Sequence, residues 1–181
     1  MIRRKKTIVI DLDSTIINTS KTIINLYNKI TPDNKIEYIE DHNWNFEPMI
    51  KTKEELNELF KLFDSEHFYD EVIFKENALE VVHALCEKYE VIICTKHNES
   101  RKPITSKFIK QMFPKVELKF VDNFSDKGKI ECDVAIDDKP ESLNSFNDTV
   151  LKICFGDYVW NKSWDGVKMV SWLEIKEFFN N

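Results

Sequence analysis

Asp11 and Asp13 close a short apolar run, Thr7-Ile8-Val9-Ile10-Asp11-Leu12-Asp13-Ser14-Thr15. A run of this kind reads as a buried parallel strand, whose carboxyl end is where open α/β sheets carry their chemistry. Two positions apart on a strand, the two carboxylates point the same way. Side by side they repel, which calls for a cation or a shared proton. With a cation in place, one carboxylate can attack an electrophile and the other can move a proton. Taken alone, the pattern also fits a strand entering a polar turn, with Asp13 or Ser14 capping the next helix. The rest of the chain decides between them.

Two further strand ends carry groups suited to the same chemistry. Glu90-Val91-Ile92-Ile93-Cys94-Thr95 ends in a hydroxyl, and Asp133-Val134-Ala135-Ile136-Asp137-Asp138 ends in an acidic pair. Lys127 lies on the loop before that pair, with Lys129 close by. In a parallel sheet these ends share one edge, so distant residues can converge there. Carboxylates gathered round one point are tolerable with a bound cation. An all-oxygen set with few protein ligands suits Mg²⁺, which keeps several waters and accepts a substrate phosphate oxygen.

The positioning elements follow from pattern and punctuation. A helix is expected from about Thr19 to Ile30, stopping near Pro32, and a polar aromatic stretch, Asp41-His42-Asn43-Trp44-Asn45-Phe46, follows it. The capping box Thr52-Lys53-Glu54-Glu55 opens a helix reaching about Phe63. Ala78, Val81, Val82, Leu85 and Tyr89 recur at helical spacing and mark an amphipathic helix over Asn77–Lys88. Beyond Thr95 come a helix near Ile104–Phe113, a strand at Val116–Val121, a short helix around Leu143 and a strand at Val150–Phe155. A last helix, about Trp172–Phe179, opens with the capping box Ser171-Trp172-Leu173-Glu174. Strands alternating with helices predict an α/β, Rossmann-like parallel sheet of about five strands with both faces covered.

Length and composition bound the rest. A chain of 181 residues, 42% hydrophobic and 32% charged, holds one full core plus a modest insertion. No apolar stretch approaches the roughly 20 residues that cross a bilayer, so no membrane association is expected. The basic start Met1-Ile2-Arg3-Arg4-Lys5-Lys6 precedes an apolar run too short for a secretory signal, and a cytoplasmic location is the expectation. A net charge of −6 argues against long nucleic acids as partners, and the Arg3–Lys6 run reads as a solvated terminus. With three glycines there is neither a Walker loop nor a dinucleotide cradle, so side chains and a metal must handle any phosphate. Cys86, Cys94, Cys132 and Cys154 form no Cys-x-x-Cys pair and read as free thiols. His42, His67, His83 and His97 show no helical metal spacing.

Taken in order, Asp11–Thr15, Thr95, Lys127 and Asp137-Asp138 resemble the signature of the haloacid-dehalogenase-like (HAD) phosphatases: Asp-x-Asp-x-Thr/Val, a strand-end hydroxyl, a lysine and an acidic pair. The order also argues against a receiver domain, whose phosphorylated aspartate sits on a central strand. From about Ile8 to Phe178 the chain looks most like the 5′(3′)-deoxyribonucleotidases, including their small bacterial and phage members. Trp44-Asn45-Phe46, Phe68-Tyr69, Asp126-Lys127, Ile136–Glu141 and Ser171–Ile175 carry that likeness. Two features depart from it: Lys75-Glu76-Asn77 stands where a Pro-Gly pair is common, and Lys96 follows Thr95 where a small residue is usual.

The resemblance implies roles. Asp11 would be the nucleophile that forms an aspartyl-phosphate; Asp13 would protonate the leaving oxygen and then activate water. Asp11, the backbone carbonyl of Asp13, and Asp138 would hold Mg²⁺, with Asp137 orienting metal-bound water. Thr95 and Lys127 would bind the phosphoryl group. Residues 1–17 and 76–181 would form the core and 18–75 a small helical cap, in which Trp44, Phe46 and Phe68, and less directly Tyr69, could meet a nucleobase. The implied activity is a Mg²⁺-dependent phosphomonoesterase acting on a small phosphate ester, a deoxyribonucleoside monophosphate first. The alternatives are a sugar phosphate or nucleic-acid phosphate end as substrate, or a non-catalytic domain that keeps the fold.

Overall fold

The computed structural model describes residues 4–180, so Met1, Ile2 and Arg3 of the basic start lie outside it. The strands are β1 (Thr7–Ile10), β2 (Glu90–Thr95), β3 (Glu117–Phe120), β4 (Val134–Asp137), β5 (Leu151–Phe155) and β6 (Val167–Met169). The α-helices are α1 (Thr19–Ile30), α2 (Lys53–Phe63), α3 (Ala78–Lys88), α4 (Lys102–Met112), α5 (Pro140–Asn144) and α6 (Trp172–Asn180). The strands form one parallel sheet in the order β3-β2-β1-β4-β5-β6.

Sequence pattern predicts about five strands; the sheet has six. The additional one, β6, is three residues between Gly166 and Ser171, too short to show alternation. It exists through its pairing with β5, Ile153 opposite Val167 and Phe155 opposite Met169. Tertiary context made this strand.

β1 is central and wholly buried, which its apolar run requires. Chain order reverses across it, with β2 on one side and β4 on the other. Such a switch point opens a crevice at the strand ends. The Asp11 N–H continues the ladder to the Ile136 carbonyl at 2.9 Å, setting Asp11 beside the end of β4. Beyond Asp13 the chain turns through Ser14, at φ 63°. Two donors from the far side of the sheet pin that turn. Tyr158 Oη donates to the Ser14 carbonyl at 2.6 Å, and the Trp172 indole to that of Thr15 at 2.9 Å.

Helix starts follow the sequence closely. Thr52 and Glu55 form the reciprocal capping box, and the Ser171 hydroxyl accepts the Glu174 N–H at 3.3 Å. Before α3, Asn77 takes the left-handed conformation at φ 61°. Asparagine tolerates this region better than other residues with a Cβ, so it can make the turn a glycine would otherwise make.

Residues 18–75 add no strand to the sheet; α1 packs on α2 and on the 3₁₀ helix Phe68–Glu71. Their apolar side chains, among them Ile23, Tyr27, Leu59 and Phe68, continue into the same buried cluster as Ile8, Ile10 and Val82. Insertion and sheet therefore share one core.

The 3₁₀ helix Phe124–Lys129 delivers Lys127, and it lies tightly on α5. A Cβ added at Gly128 would overlap the Ser145 carbonyl. Gly128→Ala should therefore lift this helix and move its neighbour Lys127. Urea unfolding should show a loss of about 1–3 kcal/mol. An unchanged midpoint would mean that the two helices tolerate separation.

Candidate active site

Lys127, 1% exposed, donates to Asp11 Oδ1 at 2.5 Å and to Asp137 Oδ2 at 2.6 Å. The other Asp137 oxygen accepts the Lys139 N–H at 2.9 Å. Asp138 Oδ2 accepts the Trp160 indole N–H at 2.8 Å, and Thr15 Oγ1 lies 3.5 Å from Oδ1. Asn161 ties the loop beneath by donating to the Asp138 and Phe155 carbonyls, each at 3.0 Å. Asp11, Asp137 and Asp138 are all buried, and each offers an oxygen within 4.8 Å of the others.

The charges here do not balance. Burial pushes the Asp11 carboxyl well above the usual range; Lys127 pulls it back, and Asp137, Asp138 and Asp13 push it further. Burial, then Asp137, raises Asp138 to about 7. Burial disfavours the Lys127 ammonium, but Asp11 and Asp137 outweigh it and keep the lysine charged. Excess buried negative charge on hard oxygen donors fits a small divalent cation.

Asp13 sits in a second cluster. Its Oδ1 accepts from Thr19 Oγ1 at 2.9 Å and Arg101 Nη2 at 3.3 Å. Its Oδ2 lies 2.6 Å from His97 Nε2 and accepts from Thr95 Oγ1 at 3.4 Å. Burial would raise its pKa, but Arg101 and His97 overcome that and hold it below the ordinary carboxylate range. Arg101 lies on the Phe63 ring at 3.2 Å and the Phe68 ring at 4.4 Å.

The predicted residues thus form two adjoining groups, Asp11 with Lys127, Asp137 and Asp138, and Asp13 with Thr95. His97 and Arg101 escaped sequence reasoning. A signal existed: with Arg3 and Arg4 at the terminus, Arg101 is the one arginine in the body of the chain. His97 stands two positions past Thr95.

The aromatic candidates divide. Trp44 is 40% exposed and packs on Trp160 at 4.4 Å, which stacks on Tyr158 at 4.5 Å. Phe46 and Phe68 are buried and offer no free face. Phe46 lies against His42 and Phe60; Phe68 lies against Phe63, Tyr69 and Arg101. Tyr69 stacks on Phe108 at 4.2 Å. Lys96 is exposed, its Nζ 4.7 Å from the Phe124 ring, over which Lys139 also lies at 3.5 Å.

Known proteins share the sequence pattern and the fold of this chain. A family model described as "5' nucleotidase, deoxy (Pyrimidine), cytosolic type C protein" matches residues 5–180. The chain is 28% identical over 176 residues to a 5'(3')-deoxyribonucleotidase of Clostridium acetobutylicum, covering 95% of this chain and 93% of the relative. Among solved structures it resembles a hydrolase of the haloacid-dehalogenase-like family from Streptococcus pneumoniae. The TM-score is 0.56 at 12% identity, over 97% of this chain and 98% of that one. It also resembles a HAD-family protein from Bacillus subtilis bound to magnesium, with TM-score 0.58 at 14% identity, over 99% and 100%. The fold is HAD-like.

The raised pKa of Asp138 has a measurable consequence in chelator. Its folded value of about 7 lies above the unfolded carboxylate value of about 3.9, so the native state binds more protons between them. Its contribution to stability is present below the unfolded value and is lost as pH rises through the folded one. Asp138→Asn should therefore gain on the parent between roughly pH 4 and 7, by on the order of a few kcal/mol. Unfolding midpoints across pH with chelator check this, and divalent cation should shrink the gap. A gap that stays flat with pH would mean that Asp138 ionises freely.

Proposed function

The chain belongs to the family described as 5' nucleotidase, deoxy (pyrimidine), cytosolic type C, and from that premise we propose that it is a Mg²⁺-dependent phosphomonoesterase hydrolysing deoxyribonucleoside monophosphates. The observation that carries the reading is the pair of adjoining clusters: Asp11 paired to a buried lysine, and Asp13, two residues on, held separately by basic groups. A nucleophile and a proton-transfer group need this separation of environments.

Asp11 would attack phosphorus in line and carry the phosphoryl group as an aspartyl-phosphate. Lys127 and Thr95 would hold phosphoryl oxygens as charge develops on them. Asp13 would protonate the leaving sugar oxygen, then take a proton from the water that cleaves the intermediate. It rests as the anion, the form needed for the second half, and so takes up a proton before the first. Asp11, Asp138 and the Asp13 carbonyl would hold Mg²⁺, which supplies positive charge to the phosphoryl oxygens, with Asp137 supporting the set from its place on Lys127.

Asp11 and Asp138 are 6% and 2% exposed, so a substrate would reach them through a narrow opening at the strand ends. The 18–75 segment would be the cap, and its exposed Trp44 the aromatic that a base would meet. No described helix is long and apolar enough to cross a membrane, and the proposed substrate is a small phosphate ester in the cytoplasm.

Two outcomes test the reading. Phosphate release from deoxyribonucleoside monophosphates should need Mg²⁺, stop with chelator and return on readdition; Asp11→Asn should abolish it while keeping the native circular-dichroism spectrum. Substantial turnover by that variant would exclude Asp11 as nucleophile. Trp44→Ala should lower nucleotide turnover by roughly ten- to a hundredfold, since a base–aromatic stack is worth about 1–3 kcal/mol. Hydrolysis of p-nitrophenyl phosphate should change far less; equal losses on both would place Trp44 in the cap's packing.

A further inference from the structure

We propose that His97 and Arg101 are positioning residues for Asp13, with Arg101 held in place by aromatic rings of the 18–75 segment. The inference rests on Asp13 being the acid–base group of the proposed hydrolysis.

The two residues flank the turn between β2 and α4, at a spacing that brings both back to the end of β1. His97 reaches Oδ2 and Arg101 reaches Oδ1, so each carboxylate oxygen has its own fixed partner. Both side chains are sealed from solvent, at 0% and 1% exposure. His97 is itself oriented: its Nδ1 lies 2.9 Å from Thr105 Oγ1, which lies 2.9 Å from Tyr69 Oη. Arg101 Nη2 also reaches Tyr69 Oη, at 3.4 Å. Histidine, threonine, tyrosine and arginine thus close a ring of contacts behind Asp13.

A purely structural role would be a costly use of this arginine. Its Nε and Nη1 are buried without hydrogen-bond partners. The Phe63 and Phe68 faces compensate in part, but an apolar side chain would fill the same space without stranded donors. What arginine supplies here is a fixed charge that reaches the carboxylate through Nη2 while the guanidinium rests against two aromatic rings. Those rings belong to the end of α2 and the Phe68–Glu71 3₁₀ helix, both within the 18–75 segment. Moving that segment away removes the surface on which the guanidinium lies.

The contacts also say which group gives way to substrate. Of the four donors on Asp13, Thr95 is the longest, at 3.4 Å, and its hydroxyl is the one proposed to turn to the phosphoryl group. Its departure would open Oδ2 toward the leaving oxygen while Thr19, His97 and Arg101 still fix the carboxylate. Displacements of about 1 Å at a reacting group can cost on the order of a hundredfold.

The test is single-turnover kinetics with Mg²⁺ on a deoxyribonucleoside monophosphate, whose leaving group needs a proton, and on p-nitrophenyl phosphate, whose leaving group does not. H97A and R101M should slow the nucleotide at least tenfold more than the nitrophenyl ester. H97Q and R101K, which keep a donor or the charge, should recover part of that difference. Adding H97A to D13N should cost nothing further on the nucleotide. Unfolding midpoints identify any variant that does not fold, and the judgement then passes to H97Q and R101K. Equal slowing of both substrates by the folded variants, or no slowing of either, while D13N discriminates between them, would overturn the positioning role and leave the phosphatase reading standing. If D13N itself failed to discriminate, the acid–base assignment of Asp13 would fall and this inference with it.

Discussion

The ammonium of Lys127, shared between Asp11 and Asp137 beneath the surface, is the contact on which the site depends. Three buried carboxylates at one sheet edge would otherwise drive the ends of β1 and β4 apart or force protons onto them. One lysine offsets part of that charge and leaves a surplus. Much nearby structure serves to hold the surplus in place. Asn161 and Trp160 fix Asp138 from the β5 side, Tyr158 and Trp172 fix the turn after Asp13, and Gly128 lets the lysine's helix lie flat on α5. Surplus charge held at such a place fits a site that trades stability for binding a cation.

Two residues further along the same strand end, the electrostatics invert. Asp11 is pushed up by burial and by other carboxylates; Asp13, partly buried, is pulled down by Arg101 and His97. Side chains nearly adjacent in sequence thereby acquire opposite tendencies toward protons. Pairs of titratable groups whose surroundings drive their pKa values apart mark acid–base division of labour. The division here comes from two loops, the one after β2 that supplies His97 and Arg101, and the one before β4 that supplies Lys127.

The legible part of this was the part written locally. Strand ends, capping boxes and the ordered series Asp11, Asp13, Thr95, Lys127 and Asp137-Asp138 are visible because each follows from a short run of residues. β6 was not visible, because three residues show no pattern and the strand exists only through β5. His97 and Arg101 were hidden for another reason: their meaning lies in reaching back across more than eighty positions to Asp13, which no local rule encodes. Trp44, Phe46 and Phe68 looked equivalent as aromatics in a polar insertion. Burial separates them, leaving Trp44 exposed and the other two inside.

That interior position of Phe68, with Phe63 beside it, bears on how the site opens. The 18–75 segment shares one apolar cluster with the sheet, so separating the two wholesale would expose a large part of the core. Opening limited to the aromatic seat of Arg101 is a different matter. There the buried guanidinium has two unpartnered donors, and each costs about 1–3 kcal/mol while water is kept from it. Wetting that seat recovers this cost and offsets some of the apolar burial given up by Phe63 and Phe68. An arrangement open at that seat would therefore lie nearer in free energy to the closed one than the apolar contact alone would set it. A bound phosphate ester need supply only the remaining difference to select the closed form. The same stranded donors that make Arg101 an expensive core residue would lower the cost of opening that seat.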